Sequence, residues 1–366
     1  MNNKINYKFP WFKPFINKKI KTKLIDVFNE NKMTMGKRTY ELEKKLQKYL
    51  KVKYAVLTTS GTSALLMAAL SLNIKPGDTI IVQNLTWVAS INPFIIQYCK
   101  IILVDTLSKK EIVNYKKLNK LIKKHKPKLV IIVHLNGQAI YNKEFDNLRK
   151  KMNFKVIEDA AQSFLIKKDS KKFSGTVYDM GCFSFSISKP INMVYGGFCV
   201  TNNKNLANKL IAIRNNGVNA EPENARLELP TEKGLNLKPS DIHASIGIEN
   251  LKLRNKIFSD MKKIYLCYKK NLKNPRIELV DINLKRSIPV YVQVLVKNRM
   301  NFYNYCKKHF IQLHFGIRSL DNIIVKANKN NLENSIFLSN HLLRVPCGPS
   351  YKINDIKNVI KILNNY

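Results

Sequence analysis

The chain has 366 residues, of which 64 are lysine or arginine and 25 are aspartate or glutamate, so its formal net charge is +39. Ten of the basic residues are arginine, the side chain that binds phosphates and base edges in a bidentate way, so this charge gives little support for a nucleic-acid partner and we expect none. A chain of this length can bury a large core, which predicts one large domain and a smaller one.

The first part of the chain predicts an arm followed by amphipathic helices. Residues 1–30 contain Phe9-Pro-Trp-Phe12 and then a basic helix with apolar residues at helical spacing. Trp11 could anchor this arm on the body of the protein or on a partner subunit. A strongly amphipathic helix is predicted at residues 40–50.

A polar turn then connects a short strand to a helix. The strand is Tyr54–Leu57, the turn is Thr59-Ser-Gly-Thr-Ser63, and the helix covers residues 64–72. A glycine-containing turn at a helix N-terminus presents free N–H groups and the positive end of the helix dipole, which favours a phosphate. Serine and threonine are also common caps of ordinary helices, so the residues alone leave both interpretations open.

Strands and helices alternate beyond this turn. The alternation predicts an α/β fold with a parallel or mixed sheet, whose ligands collect at the carboxyl ends of the strands. No Gly-x-Gly-x-x-Gly motif occurs here, so a dinucleotide fold has no support. The predicted strands are 79–82, 101–104, 129–133 and 155–158, and the predicted helices are 116–125, 144–152 and 206–214.

Two short apolar runs within Met180–Thr201 read as buried strands, and Lys189 lies in the loop between them. Most lysines of a lysine-rich chain are solvated surface groups, and this is the simplest alternative for Lys189. Against it stands Asp159, at the end of the predicted strand 155–158. A carboxylate at a strand end and a lysine in a tight loop about thirty residues later suit pyridoxal phosphate (PLP), whose ring nitrogen pairs with a carboxylate and whose aldehyde bonds to a lysine amine.

The last third of the chain predicts long helices and one further strand. A helix begins near Asp241 and continues in a long one to about Leu272, a strand covers residues 288–296, and helices follow at 299–309 and 353–364. We expect three parts: an N-terminal arm at residues 1–30, a large domain at 31–250 and a small C-terminal domain at 251–366.

Cysteine and histidine usage indicates the class of protein. The six cysteines form no Cys-x-x-Cys pair and the six histidines show no metal-ligand spacing, so we expect reduced thiols and no metal. No apolar run reaches the roughly 18 residues of a membrane span, and the N-terminus lacks the apolar stretch of a signal peptide. A cytoplasmic enzyme with no membrane partner is the expectation.

Six segments occur in the order and at the spacing of a known family. The chain resembles the PLP-dependent sugar aminotransferases of the DegT/StrS type. This resemblance implies PLP-dependent transferase fold type I, with a mostly parallel central sheet in the large domain and a smaller C-terminal α+β domain. The segments are Ser60–Leu65, Thr86–Ala89, Glu158–Gln162, Phe183–Phe185 with Lys189, Arg214–Gly217 and Gly234–Asp241.

The resemblance also assigns roles to residues. It implies that Lys189 and Asp159 are catalytic, with Lys189 bonded to PLP and moving a proton. Trp87 would stack on the cofactor ring, although a core position is the usual fate of a tryptophan. Asn236 would reach the phosphate of the neighbouring subunit, which implies a homodimer. The remaining cofactor-binding residues are Gln162 and three that would hold the phosphate, Thr62, Ser63 and Ser184.

The activity that the resemblance implies is transamination. An amino-acid donor, glutamate or glutamine, would supply the amino group to a nucleotide-linked 3- or 4-keto-6-deoxy sugar, in amino-sugar biosynthesis for surface glycans. One alternative is a PLP-dependent sugar dehydratase of the same family, in which a histidine replaces the lysine. Another is a non-catalytic PLP-binding or basic scaffold protein.

Two segments depart from the family pattern. Val194-Tyr195 stands where the family usually has Gly-Glu, which puts the recognition of the sugar in doubt more than the attachment of the cofactor. Near Gly316–Asp321 the usual His/Tyr-Pro-x-x-His-like element is absent, and the nearby His314 and Arg318 are not clear substitutes.

Overall fold

The computed structural model describes residues 6–219, 228–322 and 331–366, so residues 1–5 of the predicted arm lie outside it. The helices are α1 (Ile20–Asn29), α2 (Lys37–Leu50), α3 (Gly61–Ser71), α4 (Asn92–Ile96), α5 (Tyr115–His125), α6 (Lys143–Met152), α7 (Lys204–Arg214), α8 (Asp241–Lys252), α9 (Arg254–Asn271), α10 (Arg299–Lys308), α11 (Glu333–His341) and α12 (Ile353–Asn364), with a 3₁₀ turn at Val88–Ser90. The strands are β1 (Tyr54–Thr58), β2 (Thr79–Gln83), β3 (Lys100–Val104), β4 (Thr106–Leu107), β5 (Lys110–Val113), β6 (Leu129–Val133), β7 (Lys155–Asp159), β8 (Met180–Ser184), β9 (Gly197–Thr201), β10 (Glu278–Leu279), β11 (Val292–Leu295), β12 (His314–Phe315) and β13 (Leu342–Val345).

The central sheet has seven strands in the order β1-β9-β8-β7-β6-β2-β3. The strands from β8 to β3 run parallel to one another, whereas β9 runs antiparallel to both β8 and β1. All five residues of β6 are buried, which is typical of a parallel strand covered on both faces. The predicted mostly parallel sheet of an α/β fold is confirmed.

The two faces of this sheet are covered by different helices. Alternate residues of β6 belong to different buried clusters, because successive side chains of a strand point to opposite faces. Ile131 belongs to the cluster that contains α3 and α7 residues, and Val130 and Ile132 belong to the one that contains α5 and α6 residues. The sheet is therefore the middle layer of three.

The second sheet has the order β10-β11-β13-β12 and its strand pairs are antiparallel. Residues from β11, β13, α9, α10 and α12 form a buried cluster with it, which matches the predicted smaller α+β domain. The predicted strand at 288–296 is shorter in the structure, and β12, β13 and α11 were not predicted. The domain boundary near residue 250 stays a prediction. Helix α9 contributes Ile257 to a buried cluster of the central sheet and Ile264 to the buried cluster of the second sheet.

The N-terminal arm is attached to the second sheet of its own chain. Phe9 N–H donates to the Phe310 carbonyl at 3.1 Å, and Cys347 N–H donates to the Trp11 carbonyl at 3.0 Å. Phe9 and Phe12 are buried in the cluster of that sheet, and α1 packs on α8. Of the two interpretations of Trp11, the anchor on the body of the protein is the one that the structure shows.

Helix α2 is capped by a residue two hundred positions away in the chain. Its N-cap, Gly36, has no side chain to offer, and the buried carboxylate of Asp241 takes that role. The carboxylate accepts hydrogen bonds from the N–H groups of Gly36 (3.0 Å), Arg38 (2.9 Å) and Thr39 (2.9 Å) and from the Thr39 hydroxyl (2.7 Å). One aspartate thus satisfies the free donors of a helix end and joins α2 to the start of α8.

Asp241→Ala should therefore lower the free energy of unfolding by about 3 kcal/mol or more, because it leaves several buried donors without an acceptor. Urea denaturation followed by circular dichroism measures this. Asp260→Ala is the matched control, since Asp260 pairs with Lys256 and Lys263 on the surface of α9 and should cost less than about 1 kcal/mol. Equal losses in the two variants would contradict the capping role.

Candidate active site

A cavity of about 400 Å³ lies where the carboxyl ends of β2, β6 and β7 face the second sheet. This is the position at which ligands collect in open α/β sheets. Six of the eight predicted site residues line it, namely Thr62, Trp87, Asp159, Gln162, Ser184 and Lys189. A wider surface depression at the amino ends of the strands, about 520 Å³, contains none of the eight.

Asp159 is the last residue of β7 and is 5% exposed. Its Oδ2 accepts a hydrogen bond from the Ser90 hydroxyl at 2.6 Å, and its Oδ1 accepts one from the Ala161 N–H at 3.1 Å. Burial raises the pKa of the Asp159 carboxyl, and the bonds from Ser90 and Ala161 together with the charge of Lys189 oppose that rise. The carboxylate is therefore oriented toward a cavity where a cation would stabilise its charged form.

Lys189 lies in the loop between β8 and β9, and its amine contacts Tyr291, the residue that directly precedes β11. The Lys189 amine donates to the Tyr291 hydroxyl at 3.3 Å and lies 5.9 Å from the centre of that ring. Burial by itself would raise the pKa of the Tyr291 phenol, but the positive charges of Lys189 and Arg344 lower it below its ordinary value. The structure thus brings the amine of Lys189 and the carboxylate of Asp159 to one cavity.

The N-terminus of α3 opens into the same cavity. The Ser60 hydroxyl caps this eleven-residue helix by accepting from the Ser63 N–H at 3.0 Å. Ser184, at the end of β8, packs so close to Gly61 that an added Cβ there would lie 2.8 Å from the serine Cβ. The hydroxyls of Thr62 and Ser184 therefore surround free N–H groups of a helix end, an arrangement that suits an anion such as phosphate.

Two of the eight predicted residues do not line the cavity. The Ser63 hydroxyl is engaged inside the turn, at 2.8 Å from the Thr59 hydroxyl and 2.9 Å from that of Ser60. Asn236 is exposed and forms an isolated antiparallel bridge with Asn215. A role for Ser63 at the phosphate, and one for Asn236 in a neighbouring subunit, stay predictions.

Trp87 and Gln162 lie on different parts of the cavity wall. Trp87 is 62% exposed, so it is not the core tryptophan of the alternative interpretation, and a face of its ring is free for a flat ligand. The Gln162 side-chain oxygen accepts from the Asn136 N–H at 3.0 Å, which ties the segment after β7 to the one after β6.

The two segments that depart from the family pattern both reach the cavity. Tyr195 lines its mouth and is 69% exposed, and Val194 before it has a φ of 67°, a conformation that a β-branched residue rarely adopts. His314 also lines the cavity, and burial, with a smaller effect from Arg344, lowers its pKa to about 4. Arg318 is exposed and is not among the lining residues.

Three residues that shape this site were not predicted from the sequence. Ser90, Tyr291 and Arg344 contact Asp159, Lys189 or the ring of Tyr291, and all three are buried. Ser90 follows Trp87 by three residues, and this proximity in the sequence was the available signal. Arg344 lies on β13 and Tyr291 directly precedes β11, and nothing in their local sequence connects them with Lys189.

Some kinds of site are not found in the described residues. Across 6–219, 228–322 and 331–366, no group of three or more histidine, cysteine, aspartate or glutamate side chains is arranged to hold a metal ion. In the same ranges no helix is both long enough and apolar enough to cross a bilayer.

Several known proteins are similar to this chain in sequence or in fold. A GDP-perosamine synthase of Caulobacter vibrioides is 32% identical over 65% of this chain and 63% of its own length. A dTDP-3-amino-3,6-dideoxy-alpha-D-galactopyranose transaminase of Aneurinibacillus thermoaerophilus is 25% identical over 91% of each chain. The solved structure of an Escherichia coli GDP-4-keto-6-deoxy-D-mannose-3-dehydratase with bound hydrated PLP superposes with a TM-score of 0.86 at 20% identity, covering 98% of this chain and 99% of that one, and so shares the fold. The model of the DegT/DnrJ/EryC1/StrS aminotransferase family matches residues 14–364, and the chain belongs to that family.

Proposed function

We propose that this chain is a PLP-dependent aminotransferase that moves an amino group from glutamate or glutamine to a nucleotide-linked keto sugar. The observation that carries the proposal is the meeting of three groups in one cavity: the Lys189 amine, the buried Asp159 carboxylate and the hydroxyl-lined N-terminus of α3. The named relatives act on GDP-linked and dTDP-linked amino sugars, which supports a nucleotide sugar as the acceptor.

The residues of the cavity match three parts of PLP: the phosphate, the ring nitrogen and the face of the ring. The N-terminus of α3 with Thr62 and Ser184 offers donors for a phosphate. Asp159 is a carboxylate nine-tenths buried, and a protonated ring nitrogen is the cation that would offset its burial. Trp87 has an exposed ring that would cover a flat heterocycle.

The chemistry follows from how these residues would act. When bound, PLP supplies an electron sink for the bond that is broken at the amino carbon. Asp159, oriented by Ser90, would pair with the protonated ring nitrogen. Lys189 would hold the cofactor through its amine, and the same amine would move a proton at the reacting carbon as a general acid and base. Tyr291 accepts a hydrogen bond from this amine and so positions it in the cavity.

Two alternatives remain as outcomes of experiment. A dehydratase of this family would have a histidine in place of the lysine, and Lys189 argues against it. A non-catalytic scaffold would bind PLP without exchanging amino groups. The absorbance spectrum of the purified protein, recorded before and after addition of glutamate alone, separates the scaffold from an enzyme. Mass spectrometry of the sugar product separates a dehydratase, which removes a hydroxyl group, from an aminotransferase, which adds nitrogen.

The same proposal includes a homodimer in the cytoplasm with sites shared between subunits. Trp87 (62% exposed), Tyr195 (69%) and Leu235 (43%) are large apolar groups left uncovered near the cavity mouth or beside Asn236. Covering such groups favours association, and it must offset the repulsion between two chains of charge +39.

Borohydride reduction followed by peptide mapping should place the pyridoxyl group on Lys189. Lys189→Ala should lower turnover by several orders of magnitude, because cofactor attachment and proton transfer are lost together. Lys269→Ala is the control, since that amine pairs with Asp281 on the surface and should leave activity unchanged. A label on any other lysine contradicts the assignment.

Asp159→Asn keeps the shape of the side chain but removes the charge that favours a protonated ring nitrogen. The variant should still bind PLP, with the rate of the glutamate half-reaction reduced by at least about 100-fold. Stopped-flow absorbance of the cofactor measures both. Asp105→Asn is the matched control, because Asp105 is also buried and ion-paired, with Lys117, but lies outside the cavity. Near-normal rates in Asp159→Asn would mean that another group holds the ring nitrogen.

Mixing two inactive variants tests the shared site. Lys189→Ala removes the amine, and Asn236→Asp places a carboxylate where the phosphate of the neighbouring subunit is expected. If sites are shared, a mixed dimer has one site with both changes and one with neither, so activity should return to roughly a quarter of the wild-type value after random exchange. If each variant stays dimeric and nothing returns, Asn236 acts in its own subunit.

A further inference from the structure

Arg344 is a buried cation on the wall of the cavity that the proposed roles leave unused. It lies on β13, opposite Gln293 of β11 and His314 of β12, and it lines the cavity while only 5% exposed. Its guanidinium stacks on the ring of Tyr291, with Cζ 3.8 Å from the ring centre. Arginine is seldom buried to this degree unless an anion is paired with it.

No carboxylate forms an ion pair with Arg344 in the described residues. Arg344 Nε and Nη2 are both buried and have no hydrogen-bond partner there, and Nδ1 of the neighbouring His314 has none either. In the same ranges the guanidinium forms no ion pair with an aspartate or glutamate. The buried Glu111 carboxylate accepts a hydrogen bond from Gln293 at Oε1 (3.0 Å), and its Oε2 has no hydrogen-bond partner in the described part of the chain. Burial raises the pKa of Glu111, and the charge of Arg344 opposes that rise without an ion pair between the two side chains. Leaving charged donors unpaired in a protein interior is costly, so a missing partner is the natural explanation.

The position of Arg344 relative to Lys189 limits what that partner is. Both cations lie against the same ring, Arg344 at 3.8 Å from its centre and Lys189 at 5.9 Å, with the Lys189 amine also at the phenol oxygen. A ligand held by Arg344 therefore has its anionic group a short distance from the amine that exchanges amino groups. The phosphate cradle at α3 is a separate part of the cavity, formed by Thr62 and Ser184.

We propose that Arg344 binds a carboxylate group of a substrate, with its planar guanidinium donating hydrogen bonds to both carboxylate oxygens. Arginine matches this geometry, and the water-poor surroundings strengthen the bonds. The inference rests on the proposed function, since it is the substrate of that same cavity that would bring the carboxylate. The carboxylate comes either from the amino-acid donor or from a sugar acid as acceptor.

Two unreactive probes distinguish these sources, glutarate for the donor and glucuronate for a sugar acid. Isothermal titration calorimetry on the PLP-loaded full chain gives the dissociation constant of each. Arg344→Gln should weaken the probe that the site recognises by about 30-fold or more, as expected from the loss of a charged bidentate pair. Arg344→Lys, which keeps the charge but not the fork, should bind with intermediate affinity. The uncharged diamide of glutarate should not bind.

Arg254→Gln is the matched control, because that guanidinium also stacks on a tyrosine, 4.1 Å from the ring centre of Tyr49, but lies away from the cavity. It should bind both probes like the wild type. Thermal unfolding of each variant excludes loss of fold, and Arg344→Lys keeps the test valid if Arg344→Gln does not fold. Equal affinity of wild type and both Arg344 variants, or no binding of either probe to the wild type, overturns the proposal. Since the probes do not react, carboxylate binding without any glutamate half-reaction would refute the aminotransferase while leaving Arg344 as an anion site.

Discussion

The buried carboxylate of Asp159 is the interaction on which the organisation of the site depends. A charge at the buried end of a strand has little water to solvate it, so the fold must supply donors from elsewhere. Ser90 and the Ala161 N–H do so, which fixes the 3₁₀ turn after β2 against the end of β7. The remaining side of the carboxylate faces the cavity. The requirement for a positively charged group there is thus built into the sheet.

The rest of the cavity carries the opposite charge. Lys189 and Arg344 both lie against Tyr291, and the positive end of α3 points inward beside them. The cavity therefore offers a carboxylate that can pair with a cationic ring and several separate positions that can bind anions. A zwitterionic cofactor and an anionic substrate together would pair with all of these groups. The charge of +39 on the whole chain adds a long-range attraction for nucleotide-linked molecules.

Much of the large domain could be predicted from the sequence because its signals are local. Runs such as Leu129–Val133 are apolar throughout, and the alternation with amphipathic helices specifies parallel strands. Lys189 and Asp159 could be identified because each is a charged residue next to a buried strand. The second sheet was harder, since β12 has two residues and β13 directly follows α11 without an intervening turn. Arg344 was not predicted for this reason, because its significance comes from its cross-strand neighbours Gln293 and His314, which are distant from it in the sequence.

The attachment of the N-terminal arm has a consequence for how the protein is made. Trp11 stacks near Tyr291 and His314, and its backbone bonds to Gln312 and Cys347, more than three hundred residues later in the chain. Contacts between such distant positions form late, because a long loop has to close before they stabilise anything. On the ribosome, the central sheet can form its core while Trp11 still lacks its partners. The wall of the cavity is therefore completed only after residue 347 has emerged from the ribosome. In the nascent chain, the loop that contains Lys189 is synthesised before the cavity around it is complete.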